Sequence, residues 1–223
     1  MLLALAPIVP RIAASAGIAR RTEAPGIALT FDDGPHPEGT PTILDILDAG
    51  GAKATFFLVG EQVERHPAVA AEVAARGHQI AVHCHRHRVQ LRLREAVLRD
   101  DLDRALAAIA AATGARPALH RPPLGIYSAA GLSITREAGL EPLLWSRWGK
   151  DWRRWTTPAR IARRASKELS AGDVILLHDA DHYSAKGSWR RTAAALPEVL
   201  AAIAAVQPTG STSAASDATV TQV

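Results

Sequence analysis

The stretch IALTFDDGP, residues 27–35, joins an apolar run to a polar turn. Residues 27–30 are apolar or β-branched, which predicts a buried strand. Asp32 and Asp33 follow closely, before Gly34 and Pro35, which are common turn residues. A turn by itself would explain that composition, so the surrounding chain must decide whether the two carboxylates carry chemistry.

The same alternation of a short apolar run and an amphipathic stretch recurs about six times along the chain. The predicted strands are Ile27–Thr30, Ala54–Leu58, Gln79–Val82, Ala118–Arg121, Pro142–Trp145 and Val174–Leu177. The predicted helices are Pro41–Ala49, Glu61–Arg76, Arg94–Ala112, Ala129–Ala138, Pro158–Leu169 and Trp189–Ala205. Strands that alternate with helices indicate a parallel α/β fold, here a single domain.

Composition excludes several classes of protein. The 223 residues are 48% hydrophobic and 22% charged, which is incompatible with wholesale disorder. No apolar run reaches the roughly 18–20 residues of a spanning helix, so no stable membrane span is expected. The single cysteine, Cys84, excludes an intrachain disulfide. The formal net charge is +4, but the arginines are spread among acidic residues and no nucleic-acid motif accompanies them, so no nucleic-acid partner is expected.

The two ends of the chain differ from its middle. Residues 1–23 begin with an apolar run that fits either a signal segment, with Ala14-Ser15-Ala16 as the cleavage site, or a segment packed on the fold. Residues 24–206 form the predicted domain. Residues 207–223 are small and polar, which predicts a disordered tail. The compartment stays open, with the cell envelope or secretion favoured over the cytoplasm, and a monomer is expected.

Chemically distinctive side chains follow the predicted strands at their carboxyl ends. They are Asp32 and Asp33 after the first strand, His83, His85 and His87 after the third, Arg121 after the fourth, Asp151 after the fifth, and His178 and Asp179 after the sixth. In parallel α/β folds this rim is where active sites are built. Five groups at one rim predict a single site.

His83 and His87 suggest a metal site. They are four residues apart, and a helical turn there would place both imidazoles on one face. Asp32 or Asp33 would complete a triad that leaves a position open for water, as in catalytic zinc sites. The other aspartate would then serve as a general base. His85 is interpreted as a non-ligand and Cys84 as a small packed residue.

Three further residues fit supporting positions. His178 ends the apolar strand GDVILLH and is interpreted as a general acid for the leaving group. Arg121 can hold a catalytic aspartate ionised, and Asp151 can orient a histidine and fix its tautomer.

These residues lie in five short motifs, and the chain resembles the polysaccharide deacetylases, also called the NodB homology domain or carbohydrate esterase family 4. The motifs are TFDDGP (30–35), GHQIAVHCHRH (77–87), RPPLG (121–125), Asp151-Trp152 and LLHD (176–179), with Cys84 where the family usually has Ser or Thr. The resemblance runs from about residue 27 to residue 204. It implies a distorted (β/α) barrel of about six or seven parallel strands. It also implies a metal-dependent hydrolase that removes N- or O-acetyl groups from a carbohydrate.

The resemblance also implies a role for each matching residue. Asp32 would be the base, Asp33, His83 and His87 the metal ligands, and His178 the acid tuned by Asp151. Arg121 would tether Asp32, Trp152 and Leu176 would wall the acetyl pocket, and the backbone N–H of Leu124 would help to hold the oxyanion. The cofactor implied is a divalent metal, with Zn²⁺ preferred and Co²⁺, Ni²⁺ or Mn²⁺ open. The partner implied is an acetylated glycan.

Three departures from the family pattern and three alternatives remain. Leu124 replaces a tyrosine, and Trp148 stands where many members have an acid. No further barrel strand is evident after Ala205. The alternatives are an amidase for another acyl group, a catalytically silent sugar-binding module on the same fold, and a non-haem iron enzyme, since two histidines and a carboxylate also suit Fe(II).

Overall fold

The computed structural model describes residues 2–206, and the predicted tail at 207–223 lies outside them. Seven strands alternate with eight α-helices in this part of the chain. The strands are β1 (Ala28–Asp32), β2 (Thr55–Val59), β3 (Gln79–Cys84), β4 (Leu119–His120), β5 (Glu141–Pro142), β6 (Arg147–Trp148) and β7 (Val174–His178). The helices are α1 (Pro10–Ser15), α2 (Gly39–Ala49), α3 (Gly60–Arg65), α4 (Pro67–Ala75), α5 (Glu95–Thr113), α6 (Ala129–Glu137), α7 (Pro158–Ala165) and α8 (Ser188–Val206).

All seven strands are parallel and form one sheet in the order β5-β4-β3-β2-β1-β7-β6. Strand β1 lies near the middle, between β2 and β7. Its last residue, Asp32, pairs in register with Phe57 on one side and His178 on the other. The predicted α/β class is therefore confirmed, and the register already places the first aspartate beside the last predicted site histidine.

The two edge strands are successive pieces of one short run. β5 pairs with β4 and β6 pairs with β7, yet only residues 143–146 separate β5 from β6. Four residues span at most about 14 Å, so the sheet must curl until its edges approach each other. The result is a curled half-barrel. The predicted strand at 142–145 is thus wrong in its bounds, because only Pro142 belongs to a strand, β5, and the residues after it connect the edges.

Side chains on the two faces of the sheet form two hydrophobic clusters. Phe31, Phe56 and Ile175 face the larger cluster, which includes the buried residues of the surrounding helices. Alternate residues such as Phe57 and Leu176 face the smaller one inside the curl. Strand side chains alternate between faces, so this division follows directly from the pleat.

The N-terminal segment packs against the inner cluster. Ala6, Ala13 and Ile18 are buried there. Farther along, the Ala19 amide donates to the Pro142 carbonyl (3.1 Å), and the Thr22 amide donates to the Gly172 carbonyl (2.9 Å). The segment therefore crosses from β5, at one edge of the sheet, to the loop before β7, the strand next to the other edge.

Most predicted helices are present, with two differences in bounds. The single helix predicted at 61–76 is two helices, because Pro67 begins a new helix and cannot supply the N–H that would continue α3. Helix α7 ends at Ala165 and does not reach the predicted Leu169. Among residues 2–206, none of the helices is both long and apolar enough to cross a bilayer.

Candidate active site

Polar side chains gather in a cleft at the carboxyl ends of β1, β3 and β7. The cleft has a volume of about 260 Å³. Eight of the ten predicted site residues line it: Asp32, Asp33, His83, His87, Leu124, Trp152, Leu176 and His178. The other two, Arg121 and Asp151, lie behind it and contact Asp32 and His178. The structure thus brings the predicted rim residues together.

Asp33, His83 and His87 form a candidate metal centre. Oδ1 of Asp33 lies 3.5 Å from Nε2 of His83 and 3.5 Å from Nε2 of His87. The three ligand atoms all lie within 4.8 Å of one another. Separations of 3.5 Å are too long for good hydrogen bonds, and the buried Oδ1 of Asp33 has no hydrogen-bond partner among the described residues. One carboxylate and two imidazoles fit a divalent transition metal, so the residues present suit the predicted ion.

The two histidines reach this centre without the helical turn expected from their spacing. His83 lies in β3, and His87 lies in the loop that follows it. His85, between them, is buried and lies 3.9 Å from Glu64, away from the triad. Asp101 accepts hydrogen bonds from the amides of His85 (2.7 Å) and Arg86 (3.1 Å), which fixes the loop. The approach of His83 and His87 is therefore set by a buried α5 carboxylate.

The two adjacent aspartates face different partners. Asp32 ends β1, whereas Asp33 has a φ of 80°, in the left-handed region that aspartate tolerates better than most residues. Gly34 follows, and a Cβ at that position would overlap the Asp179 carboxylate. Burial alone would raise the pKa of Asp33, but His83, together with His178 and His87, lowers it to about 2. Asp33 is therefore ionised, as a metal ligand must be.

Asp32 is held by a fully buried arginine. Nη1 of Arg121 donates to Oδ1 of Asp32 (2.7 Å) and to Thr30 Oγ1 (2.9 Å). The same guanidinium donates to the carbonyls of Leu143 (3.0 Å) and Leu144 (2.8 Å). Oδ2 of Asp32 remains directed to the cleft side, 4.0 Å from Nδ1 of His83. Arg121 thus fixes Oδ1 of Asp32, whereas Oδ2 stays available to react in the cleft.

His178 is oriented by Asp151. Nδ1 of His178 lies 2.9 Å from Oδ1 of Asp151, and the His178 amide donates to Oδ2 (2.7 Å). The Thr192 hydroxyl also donates to Oδ2, at 2.8 Å. Burial lowers the pKa of His178, but Asp151, Asp33 and Asp32 outweigh that effect and raise the pKa to about 10. Since Nδ1 is committed to Asp151, Nε2 is the nitrogen available to the cleft.

Aromatic and aliphatic side chains wall the rest of the cleft. The Trp152 ring meets His178 edge-on at 5.4 Å between centroids, and Trp148 lies 5.6 Å from Trp152. Leu176 forms the floor from β7. Leu124 is 57% exposed at the mouth and has a left-handed φ of 59°, which turns the backbone of the 123–125 loop.

The sequence does not predict Tyr183, which also lines the cleft. Tyr183, in the loop after β7, stacks on His87 with 4.3 Å between centroids and 11° between planes. Its hydroxyl donates to Glu61 Oε1 (2.7 Å) and accepts from Gln62 Nε2 (2.9 Å), both on α3. An aromatic residue in a polar loop after a barrel strand was the available signal, but nothing in the sequence pairs it with His87.

Comparisons with known proteins agree with this geometry. A family profile described as "Polysaccharide deacetylase" matches residues 19–143. A peptidoglycan-N-acetylglucosamine deacetylase of Bacillus cereus is 35% identical over 78% of this chain and 79% of its own. A chitooligosaccharide deacetylase of a Bradyrhizobium strain is 36% identical over 69% and 70%. The structure of a family 4 carbohydrate esterase from Streptomyces lividans, in complex with acetate, superposes with a TM-score of 0.73 at 30% identity, covering 82% of this chain and 89% of that one.

Proposed function

Because the chain belongs to the polysaccharide deacetylase family and is a hydrolase that removes acetyl groups from carbohydrate, we propose that its substrate is an N-acetylglucosamine unit of a glycan. The relatives named for peptidoglycan and for chitooligosaccharides share that unit. The observation that carries the proposal is the convergence of the Asp33–His83–His87 triad with Asp32 and His178 in one cleft.

Asp33, His83 and His87 would hold a divalent ion, and Zn²⁺ is the ion proposed. Such an ion supplies Lewis acidity, which polarises the acetamido carbonyl and lowers the pKa of water. Asp32 then acts as the base that accepts a proton from the attacking water, through the oxygen that Arg121 leaves free. Arg121 serves as a positioning residue, since it is buried behind Asp32 and fixes the carboxylate.

His178 would protonate the departing amine. Its Nε2 faces the cleft, 4.0 Å from Asp33 Oδ2, while Asp151 holds Nδ1. A general acid must present its proton within hydrogen-bond reach of the leaving group, and this orientation allows that. A sugar-binding module needs neither this acid nor the base, so the pair favours an enzyme over a silent module.

The remaining cleft residues would bind the acetyl group. Trp152 and Leu176 offer the apolar walls that a methyl group requires, beside the proposed acid. The Leu124 backbone N–H is the proposed oxyanion donor, a role for which no tyrosine side chain is needed. Pocket shape alone sets the acyl preference, so formyl and acetyl substrates are compared directly in the test.

The test is acetate release from chitooligosaccharide and from peptidoglycan, compared with formate release from the N-formyl form of the same chitooligosaccharide. The protein is stripped with a chelator, metal content is measured, and activity is followed as Zn²⁺, Co²⁺, Ni²⁺ or Mn²⁺ is added back. Asp32→Asn is expected to lower kcat by at least about 100-fold, the usual scale for a general base, while metal content is retained. Asp103→Asn, an exposed carboxylate on α5, is the matched control and should keep full activity.

Three results would contradict the proposal or one of its parts. Full activity in Asp32→Asn would remove the base assignment. Stoichiometric metal without release of acetate or formate from any acylated sugar would favour the silent module. Oxygen consumption with an added cosubstrate would point to the iron alternative.

A further inference from the structure

A second groove lies beside the active-site cleft and shares one wall with it. It is lined by Ser146, Arg147, Trp148, Lys150, Arg164 and Lys167, and has a volume of about 260 Å³. Trp148 also lines the active-site cleft, so the two cavities are adjacent. We call these six residues the cationic groove.

The four cations of the groove come from one strongly basic stretch of the sequence. Residues 147–167 contain eight lysines and arginines and one acidic residue, Asp151. Asp151 is buried and already bonded to His178, so it does not neutralise the surface. The groove therefore has four cations in its wall and no carboxylate.

Neighbouring acids neutralise only part of that charge. Arg147 shares the buried Asp173 with Arg21 (3.2 and 2.5 Å), and Lys167 lies 3.7 Å from Glu168. Lys150 and Arg164 form no ion pair with any residue of the described chain 2–206. Both are half-buried, and Lys150 lies over the Trp148 ring at 4.4 Å. Lys150 and Arg164 are therefore two half-buried cations without a carboxylate partner among residues 2–206, and such a pair favours binding of an anion from outside the chain.

The electrostatics of Lys150 agree with that geometry. Burial lowers the pKa of Lys150, and the neighbouring charges of Arg153 and Arg164 lower it further. An anion between Lys150 and Arg164 would relieve this repulsion and accept charge-assisted hydrogen bonds from both side chains.

We propose that the cationic groove binds an oxyanion, a carboxylate or a phosphate, carried by the glycan next to the acetamido group that is removed. The proposal rests on the proposed function, since it places a neighbouring part of the same substrate. The shared Trp148 wall puts that anion beside the reacting sugar. The groove would therefore make the enzyme selective for anionic glycans over neutral ones.

The test compares matched substrates on one variant. The substrates are the disaccharide of N-acetylglucosamine and N-acetylmuramic acid with a free carboxylate, its neutral methyl ester, neutral chitobiose, and chitobiose 6-phosphate. In Lys150→Gln/Arg164→Gln, KM for the preferred anionic substrate should rise about tenfold or more, because the variant loses the charge-assisted hydrogen bonds to the anion. KM for both neutral substrates and kcat for all four should stay within twofold.

Charge-matched controls are available on the same helix. Arg160→Gln and Arg163→Gln remove exposed cations of α7 that do not line the groove, and they should leave the anionic KM unchanged. Comparing KM for the substrate with the free carboxylate and for the substrate with the phosphate identifies which oxyanion is bound. An unchanged anionic KM in the double variant, or an equal rise for neutral substrates, would overturn the proposal.

Binding is measured separately so that the two proposals can fail independently. Tryptophan fluorescence of the Asp32→Asn variant, with and without the groove substitutions, is titrated with the anionic disaccharide and its ester. If the native protein releases no acetate, the proposed function fails, yet preferential binding of the free acid would still support the groove. Equal binding of acid and ester would refute the groove even in an active enzyme.

Discussion

Asp32 and Asp33 show how far two neighbouring side chains can diverge. One ends a strand and is bonded to a buried arginine, and the other adopts a left-handed backbone and faces two histidines. Gly34 allows this turn, since any side chain there would overlap Asp179. The division between the proposed base and the proposed metal ligand therefore depends on the backbone conformation as well as on the side chains.

Tyr183 should control how well the metal is held. The ring packs flat on His87 and is itself fixed to α3 through its hydroxyl. Tyr183→Leu should weaken metal binding by about tenfold, the lower end of the effect of residues that orient metal ligands. Tyr183→Phe keeps the ring and should lose much less. Competition with a chelating dye measures both, and native affinity in Tyr183→Leu would contradict the role.

The site residues were largely predictable from the sequence, whereas their supports were not. Asp32, Asp33 and His178 lie in motifs close after predicted apolar strands, so the sequence predicts their position at the carboxyl ends of the strands. Tyr183 was not, because its loop has no fixed periodicity and its partner lies almost a hundred residues earlier. The loop between His83 and His87 could not be predicted for the same reason, since Asp101 on a distant helix shapes it.

At the scale of elements, strands β1, β2, β3 and β7 and most helices follow the hydrophobic pattern closely. The exception is the strand predicted at Pro142–Trp145. Residues 143–146 instead join the sheet edges, and Leu143 and Leu144 use their carbonyls to bind Arg121. The local hydrophobic pattern cannot reveal that the strand ends there, because the hydrogen bonds that the Leu143 and Leu144 carbonyls accept come from Arg121, outside this stretch.

Helix α7 depends on its N-terminal cap. It has eight residues, and Thr157 Oγ1 accepts a hydrogen bond from the Arg160 amide (3.3 Å). Isolated helices this short are unstable, so the cap and the buried Ile161 matter. Thr157→Ala should lower the free energy of unfolding by about 1 kcal/mol in urea titrations, and Thr157→Ser should not. Equal losses in both variants would show that the hydroxyl is not the cause.

For the whole molecule, Asp179 should link stability to pH. The residue is fully buried beneath the Asp33–Gly34 turn and accepts a hydrogen bond from Thr40. Burial raises its pKa to about 7, and Asp33 adds to the shift while Thr40 and His178 oppose it. An unfolded chain has an Asp179 pKa of about 3.9. Between about pH 4 and pH 7, the Asp179 carboxyl is therefore protonated in the folded state and ionised in the unfolded state. This contribution is present at low pH and is lost as pH rises through 7.

Asp179→Asn isolates that contribution. The difference in unfolding free energy, native minus variant, should fall between pH 4 and pH 7 and level off above pH 7. Urea unfolding at pH 5, 6, 7 and 8 measures it, and other titrating groups largely cancel because both proteins contain them. Parallel pH profiles would show that the carboxyl group does not change its protonation on folding.

Arg121 ties the chemistry to the architecture. It binds the proposed base and, through two carbonyls, the connection that brings the sheet edges together. Losing His178 would leave these bonds intact, whereas losing Asp32 would leave the buried guanidinium without its counter-charge. A descendant of this chain that no longer catalyses should therefore keep Asp32 and Arg121 together, as a structural pair, after His178 has changed.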